Sequence, residues 1–277
     1  MSILEDEFGD IIAKARAGAG CTVDQIAEST RVPVSDIQKM ESYQLLPSRE
    51  QTIRLAHALS LDSTKLTEIM NDSWHPQPLS FQRENVVIEQ ISVPYGTSNC
   101  YVIGCTKSGI GGVVDPGGAV DEILRLLAEH NLNLELVLIT HSHADHISGL
   151  KQLISAWPGA RVVSNSAEKD RIMHEVSARW EPANECVAIH LGDLTLTALD
   201  TPGHTPGSTC YTANGICFTG DTLFAGSIGQ PVDWKVYPKM LSSIRDKVLS
   251  MPGNTIILPG HGPATTAGEE NAHNPFF

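Results

Sequence analysis

The sequence predicts an α+β protein in two parts: a small all-helical bundle over residues 1–72 and a larger domain of strands and helices over residues 86–277, joined by a linker over residues 73–85. A chain of 277 residues exceeds the size at which a single hydrophobic core usually divides. Apolar residues follow a helical period in the first part. Short apolar runs of strand length recur in the second part.

Four short helices are predicted in the first part. The first carries Ile11 and Ala15 on its apolar face. Thr22 can cap the second helix, Pro33 lies at the first turn of the third, and Pro47–Ser48 opens the fourth. Short helices joined by tight turns predict a small bundle.

Residues 25–42, 46–48 and 52–59 resemble the Cro/phage-repressor helix-turn-helix family. The resemblance implies that the third helix enters the major groove of DNA, where Ser35, Gln38 and Lys39 would be the readers. Residues 1–72 hold seven basic and twelve acidic side chains, so attraction to phosphates would depend on few residues. Two roles stay open for this part, DNA binding or association with a partner, and we expect a homodimer.

The second part has a regular order of elements. The linker contains two prolines among polar residues and is expected to be extended. Strand-like runs follow at residues 86–93 and 99–103. Amphipathic patterns predict four helices, over residues 119–130, 148–157, 168–180 and 239–250.

Three histidines and one aspartate follow the apolar run at residues 134–139 within the string T-H-S-H-A-D-H. His141 and His143 are two residues apart, so they point to the same side of an extended segment. Asp145 and His146 come next, where the chain turns into a helix. Imidazole and carboxylate groups suit zinc, iron or manganese. The string therefore predicts a metal site at the end of a buried strand.

Three other predicted strands end at a glycine with a histidine or aspartate beside it: His204, Asp221 and His261. Glycine lets the backbone turn tightly and approach a metal closely. A further strand ends at Asp115, for which two interpretations stay open. It either orients a ligand histidine through a hydrogen bond or starts a turn before proline.

The strings T-H-S-H-A-D-H-I-S-G, T-P-G-H-T-P-G-S, F-T-G-D-T-L-F-A-G-S-I-G and L-P-G-H-G-P, with the ending N-P-F-F, resemble the metallo-β-lactamase superfamily on its glyoxalase II-like branch. The resemblance covers residues 86–277 and implies an αββα sandwich with two divalent metal ions at one edge, zinc first, with iron or manganese as alternatives. It implies one ion on His141, His143 and His204. It assigns Asp145, His146 and His261 to the other ion, with Asp221 as the bridge.

The resemblance also implies a metal-dependent hydrolase, in which a metal-bound hydroxide attacks a small thioester or related ester and Asp145 helps to orient the nucleophile. Many relatives carry a basic residue where this sequence has Gln230, which predicts weak binding of an anionic tripeptide. Two alternatives stay open. One is an iron-dependent persulfide dioxygenase, which the string H-A-D-H-I-S-G resembles too, and the other is a metabolite-sensing transcriptional regulator.

The composition limits which partners and which cellular compartment we expect for this protein. The net charge of −13 argues against a surface generally coated with nucleic acid. No apolar run approaches the ~18 residues of a membrane span, and the acidic start does not resemble a signal peptide. The six cysteines show no C-x-x-C spacing, which suits reduced thiols. We therefore expect a cytoplasmic protein without a membrane partner.

Overall fold

The computed structural model describes residues 3–81, 83–93 and 98–277. Met1, Ser2 and Gln82, which belong to the predicted bundle and linker, lie outside the described residues. The N-terminal part is helical, and its helices within the described residues are α1 (Phe8–Gly18), α2 (Val23–Thr30), α3 (Val34–Glu41), α4 (Arg49–Ala58) and α5 (Ser63–Met70).

Capping explains where several of these helices begin. Thr22 and Ser48 accept hydrogen bonds from backbone N–H groups three residues later, as their positions predicted. Helix α5 was not predicted from the sequence. Asp62 starts it by accepting hydrogen bonds from the N–H groups of Thr64 and Lys65.

Two six-stranded sheets form the centre of the remaining chain. The first sheet has its strands in chain order: β1 (Val86–Ser92), β2 (Asn99–Cys105), β3 (Ile110–Val114), β4 (Asn133–Leu138), β5 (Arg161–Ser164) and β6 (Arg179–Pro182). Strands β3, β4, β5 and β6 are parallel to one another, so their C-terminal ends lie along one edge.

The second sheet and a small hairpin follow, with strands β7 (Ala188–Leu191), β8 (Leu194–Asp200), β9 (Thr209–Ala213), β10 (Ile216–Gly220), β11 (Leu223–Phe224), β12 (Ser227–Ile228), β13 (Ile256–Pro259) and β14 (Thr265–Thr266). Strands β11 and β12 form the hairpin, and the spatial order of the sheet is β14-β13-β10-β9-β8-β7. Strands β10 and β13 are parallel, so the loops that follow them are neighbours.

Helices cover both outer faces: α6 (Val120–Glu129), α7 (Ala144–Ile147), α8 (Leu150–Ala156), α9 (Lys169–Glu175), α10 (Tyr237–Ser243) and α11 (Ala267–His273). The prediction of one helix over residues 168–180 was wrong in its second half. Helix α9 ends at Glu175, and β6 then pairs with β5 at the sheet edge. The Trp180 indole N–H donates to Ser164 Oγ of β5, which stabilises this residue in a strand.

The positions of three apolar cores show how the two sheets and the outer helices are layered. One core lies between α6, α8, α9 and the first sheet, and a second fills the space between the two sheets. A third lies on the outer face of the second sheet, where α10 and α11 pack. This arrangement is the αββα order that the sequence predicted.

The N-terminal helices share the third core. Ile11, Leu55 and Leu66 belong to the same cluster of buried residues as Met240 and Ile244, which lie on the outer face of the second sheet. A Cβ atom on Gly18 would come within 2.6 Å of the Tyr237 ring, so only glycine permits this close packing. The bundle is therefore packed against the sandwich.

The linker is anchored at Trp74. Its indole N–H donates to Glu269 at 2.8 Å, and its ring stacks on His273 with 4.9 Å between centroids. None of the helices in the described part of the chain combines the length and apolar character needed to cross a bilayer.

Candidate metal centre

The candidate site lies at the edge where strands of both sheets end. His141 and His143 lie in the loop after β4, and Asp145 and His146 lie in the first turn of α7. The loops after three strands of the second sheet supply the remaining groups, which are His204 after β8, Asp221 after β10 and His261 after β13. The structure thus brings all seven predicted site residues together.

The first group of side chains surrounds one side of Asp221. His143 Nδ1 lies 2.9 Å from His204 Nε2. The Asp221 Oδ2 atom lies 3.4 Å from His204 Nε2 and 3.8 Å from His141 Nε2. Four potential ligand atoms thus face a common point.

The second group lies on the other side of the same carboxylate. Asp145 Oδ2 lies 3.2 Å from His261 Nε2 and 3.6 Å from His146 Nε2, and the two imidazole nitrogens are 3.4 Å apart. Asp221 reaches this group as well, at 3.3 Å from His146 and 3.5 Å from His261. Asp221 therefore lies between the two groups, within 3.8 Å of histidines in each.

The unsatisfied atoms of the cluster fit a bound cation. Within the residues that the structure describes, the buried atoms His141 Nε2 and Asp221 Oδ1 have no hydrogen-bond partner. Buried polar atoms without a partner are costly unless another group binds them. Imidazole nitrogens and carboxylate oxygens are ligands that zinc and iron accept. The donor set therefore fits divalent metal ions.

In three of the histidines, the ring nitrogen that is turned away from the cluster, Nδ1, makes a hydrogen bond. Nδ1 of His141 contacts Thr140 Oγ1 at 3.1 Å, and Nδ1 of His204 contacts the Gln230 carbonyl oxygen at 2.9 Å. Nδ1 of His146 contacts an Asp115 carboxylate oxygen at 3.0 Å. An imidazole that donates from Nδ1 presents the lone pair of Nε2, so these three rings direct a lone pair toward the centre of the cluster, as metal ligands require.

Asp115 has the geometry of an orienting residue. Besides His146, its buried carboxylate accepts from the Thr140 N–H at 2.8 Å and the Thr140 hydroxyl at 2.6 Å. The parallel pairing of β3 and β4 places these loops side by side. Its φ of 51° lies in the left-handed region, which Asp and Asn tolerate better than most residues.

Asp115→Asn is expected to lower metal affinity by about 10- to 100-fold, because an amide cannot hold the His146 N–H as a carboxylate does. Competition with a chromophoric chelator measures the affinity. Asp193→Asn, at an exposed surface pair with Lys107, is the matched control and should leave it unchanged. Equal affinities in the two variants would contradict an orienting role for Asp115.

Glu168 contributes to the site and was missed from the sequence. Its buried carboxylate accepts hydrogen bonds from the backbone N–H and hydroxyl of Ser142, from the Thr205 hydroxyl and from the Gly207 N–H. It thereby ties the loop of His141 and His143 to the loop of His204. No local motif marks this residue, because its partners are distant in the chain.

Glu168→Ala is expected to lower the free energy of unfolding by about 3 kcal/mol, since several buried donors lose their acceptor. Urea unfolding of metal-free protein measures this loss. Glu129→Ala removes an exposed helical carboxylate that pairs with Arg125 and should change stability by about 0.5 kcal/mol or less. A similarly small change in Glu168→Ala would show that the two loops hold their positions without it.

The carboxylates make the site attractive to positive charge. Burial lowers the pKa of His141, and the neighbouring His146 lowers this pKa further. Burial also disfavours protonation of His146, but Asp115 and Asp221 outweigh it and raise its pKa to about 10. Burial alone would raise the pKa of Asp221, yet His146 and the other histidines hold it well below its usual range. The field that retains a proton here also favours a cation in its place.

Two glycines allow the loops to approach Asp221. A Cβ atom on Gly260 would lie 2.2 Å from Asp221 Oδ1, and one on Gly229 would lie 1.7 Å from the Asp221 carbonyl oxygen. Any larger residue would displace the aspartate from between the histidines.

The predicted DNA readers lie on α3 of the N-terminal part and are not members of this cluster. Ser35, Gln38 and Lys39 are exposed, whereas Ile37 and Met40 of the same helix are buried in the bundle. Residues 31–33 separate α2 from α3. DNA binding through this helix stays a prediction.

Residues 93–261 match the family model of the metallo-beta-lactamase superfamily. The chain therefore belongs to that superfamily. Hydroxyacylglutathione hydrolase GloC of Haemophilus influenzae is 32% identical over 216 residues, which cover 69% of this chain and 97% of the relative. The N-terminal helices precede the region that the family model matches.

Two solved structures show the same fold in the sandwich. The BLEG-1 B3 metallo-beta-lactamase has a TM-score of 0.60 and 29% identity, with 69% of this chain and 99% of that chain covered. TTHA1623, solved in a di-iron-bound form, has a TM-score of 0.58 and 25% identity, with 68% of this chain and its entire length covered.

Proposed function

We propose that this protein is a metal-dependent hydrolase of a small thioester or related ester. The observation that carries the proposal is the pair of ligand groups that share Asp221, each with nitrogen and oxygen donors directed to one point. The GloC relative, a hydroxyacylglutathione hydrolase, supports a thioester as the substrate class. Zinc is the proposed metal, and the di-iron form of TTHA1623 makes iron the first alternative to test.

The protein's own residues supply ligands and orientation. His141, His143 and His204 would hold one ion, Asp145, His146 and His261 the other, and Asp221 would contact both. When bound, such ions acidify water and polarise a carbonyl oxygen. Asp145 is half-buried at the site, and contact with His261 lowers its pKa, so its carboxylate is ionised and can orient a water molecule.

The loop after the β11–β12 hairpin shapes substrate choice in this proposal. The Gln230 side chain is exposed and neutral, while its carbonyl oxygen holds His204. Val232 and Trp234 are exposed in the same loop. A neutral side chain beside the site supports a substrate with less negative charge than a glutathione conjugate.

A panel of thioesters and esters tests the proposal with protein as purified. Hydrolysis should be lost on removal of metal by a chelator and restored by added zinc, with glutathione conjugates poorer than uncharged acyl thioesters. A single iron per chain, with oxygen uptake on a thiol persulfide and no thioester cleavage, would instead favour the dioxygenase. Absence of both activities in metal-loaded protein would refute an enzymatic role on these substrates.

A further inference from the structure

His261 differs from the other histidines whose Nε2 faces the site. His141, His146 and His204 each have an acceptor at Nδ1, whereas the buried Nδ1 of His261 has no hydrogen-bond partner among the described residues. A ligand histidine whose outer nitrogen is unheld is free to change its ring orientation and is a weaker base. A partner for this atom would therefore strengthen the site.

The charged group beside that nitrogen is Glu5 of the N-terminal segment. A Glu5 carboxylate oxygen lies 3.7 Å from His261 Nδ1, and the glutamate side chain is 32% exposed. The segment passes close to the following Gly262, where a Cβ atom would lie 3.1 Å from Glu5 Cβ. Glu5 lies outside residues 93–261, the range that the family model matches.

The segment is fixed to the sandwich directly after Glu5. The buried Asp6 carboxylate binds both the Lys14 ammonium group and the Ser227 hydroxyl. The same ammonium group donates to the Ile228 carbonyl oxygen at 2.8 Å. Ser227 and Ile228 form the strand β12, which leads into Gly229 against Asp221. The anchor thus holds Glu5 beside the metal-site loops.

We propose that Glu5 is a positioning residue for the metal centre: its carboxylate orients His261 through Nδ1 and strengthens it as a ligand. Asp115 already holds His146 in this way, through a hydrogen bond at 3.0 Å. Glu5 would do the same for His261 once its carboxylate closes the 3.7 Å to Nδ1. The N-terminal part would then supply a residue that holds one of the ligand histidines of the proposed metal centre. This inference rests on the proposed function, because it requires His261 to be a metal ligand.

Cobalt(II) titration of the metal-free full-length protein tests the proposal through affinity and the visible spectrum. Glu5→Gln and Glu5→Ala should weaken binding of the ion assigned to Asp145, His146 and His261 by about tenfold. This is the lower end of the effect expected when a ligand histidine loses its hydrogen-bond partner. Both should also shift the absorption bands, which report ligand geometry. Glu5→Asp, which keeps the charge, should recover part of the affinity.

Glu28→Gln is the matched control, since it removes one exposed carboxylate of the same bundle. It should leave both the affinity and the spectrum as in wild type. Affinity within twofold of wild type and an unshifted spectrum in Glu5→Ala would overturn the role of Glu5 alone. A wild-type protein that binds no cobalt would refute the proposed metal centre itself, and with it this inference.

Discussion

Replacement of Asp221 by alanine is expected to remove metal binding and hydrolysis together. This carboxylate lies within 3.8 Å of His141, His146, His204 and His261, so its loss affects both groups of ligands. Without this carboxylate, the site also loses a negative charge that would balance the positive charge of a bound ion. Activity should fall by more than about 100-fold, which exceeds the effect of removing a residue that only hydrogen-bonds to a ligand.

Elemental analysis and the thioester assay measure the two effects in the Asp221→Ala protein. Asp170→Ala, on the exposed first turn of α9, removes a carboxylate of the same kind and should keep both metal and activity. An Asp221→Ala protein that retains two ions per chain would show that the carboxylate is not shared between them.

His143→Ala is expected to abolish turnover and lower metal content while the fold persists. His143 is partly exposed, and its ring contacts the rings of His141 and His204 in the cluster, so its removal affects ligand binding more than packing. Activity should again fall by more than about 100-fold. Metal content, turnover and the thermal unfolding of metal-free protein are the measurements.

His57→Ala provides the comparison for this histidine, because His57 is exposed near the end of α4 and lies outside the cluster. It should behave as wild type in all three measurements. Full activity in His143→Ala would defeat the assignment of the site, and loss of the thermal transition would reveal a structural role instead.

The clustering of the histidine and aspartate side chains could be predicted from the sequence because its signals are local. Each histidine or aspartate follows a short apolar run and a turn, and parallel strands such as β10 and β13 bring such ends to one edge. The αββα layers followed from the resemblance carried by these motifs. Helix α9 was predicted too long, because periodicity alone does not exclude the edge strand β6, which depends on pairing with β5.

Other features depend on contacts between distant parts of the chain. Glu168 accepts hydrogen bonds from Ser142 and Thr205, and Glu5 lies beside His261. These residues are far apart in the sequence, so no local pattern reveals the contacts. The N-terminal part was predicted as a helix-turn-helix bundle separate from the sandwich, and that division stays a prediction. Its packing against Tyr237 depends on complementary surfaces that appear only in the folded chain.

Anomalous X-ray scattering from crystals of the protein as purified, recorded at the absorption edges of zinc and iron, tests the central claim most directly. We expect two peaks per chain, one among His141, His143 and His204 and the other among Asp145, His146 and His261, with Asp221 in contact with both. Imidazole rings turned away from one another with no peak between them would contradict the account.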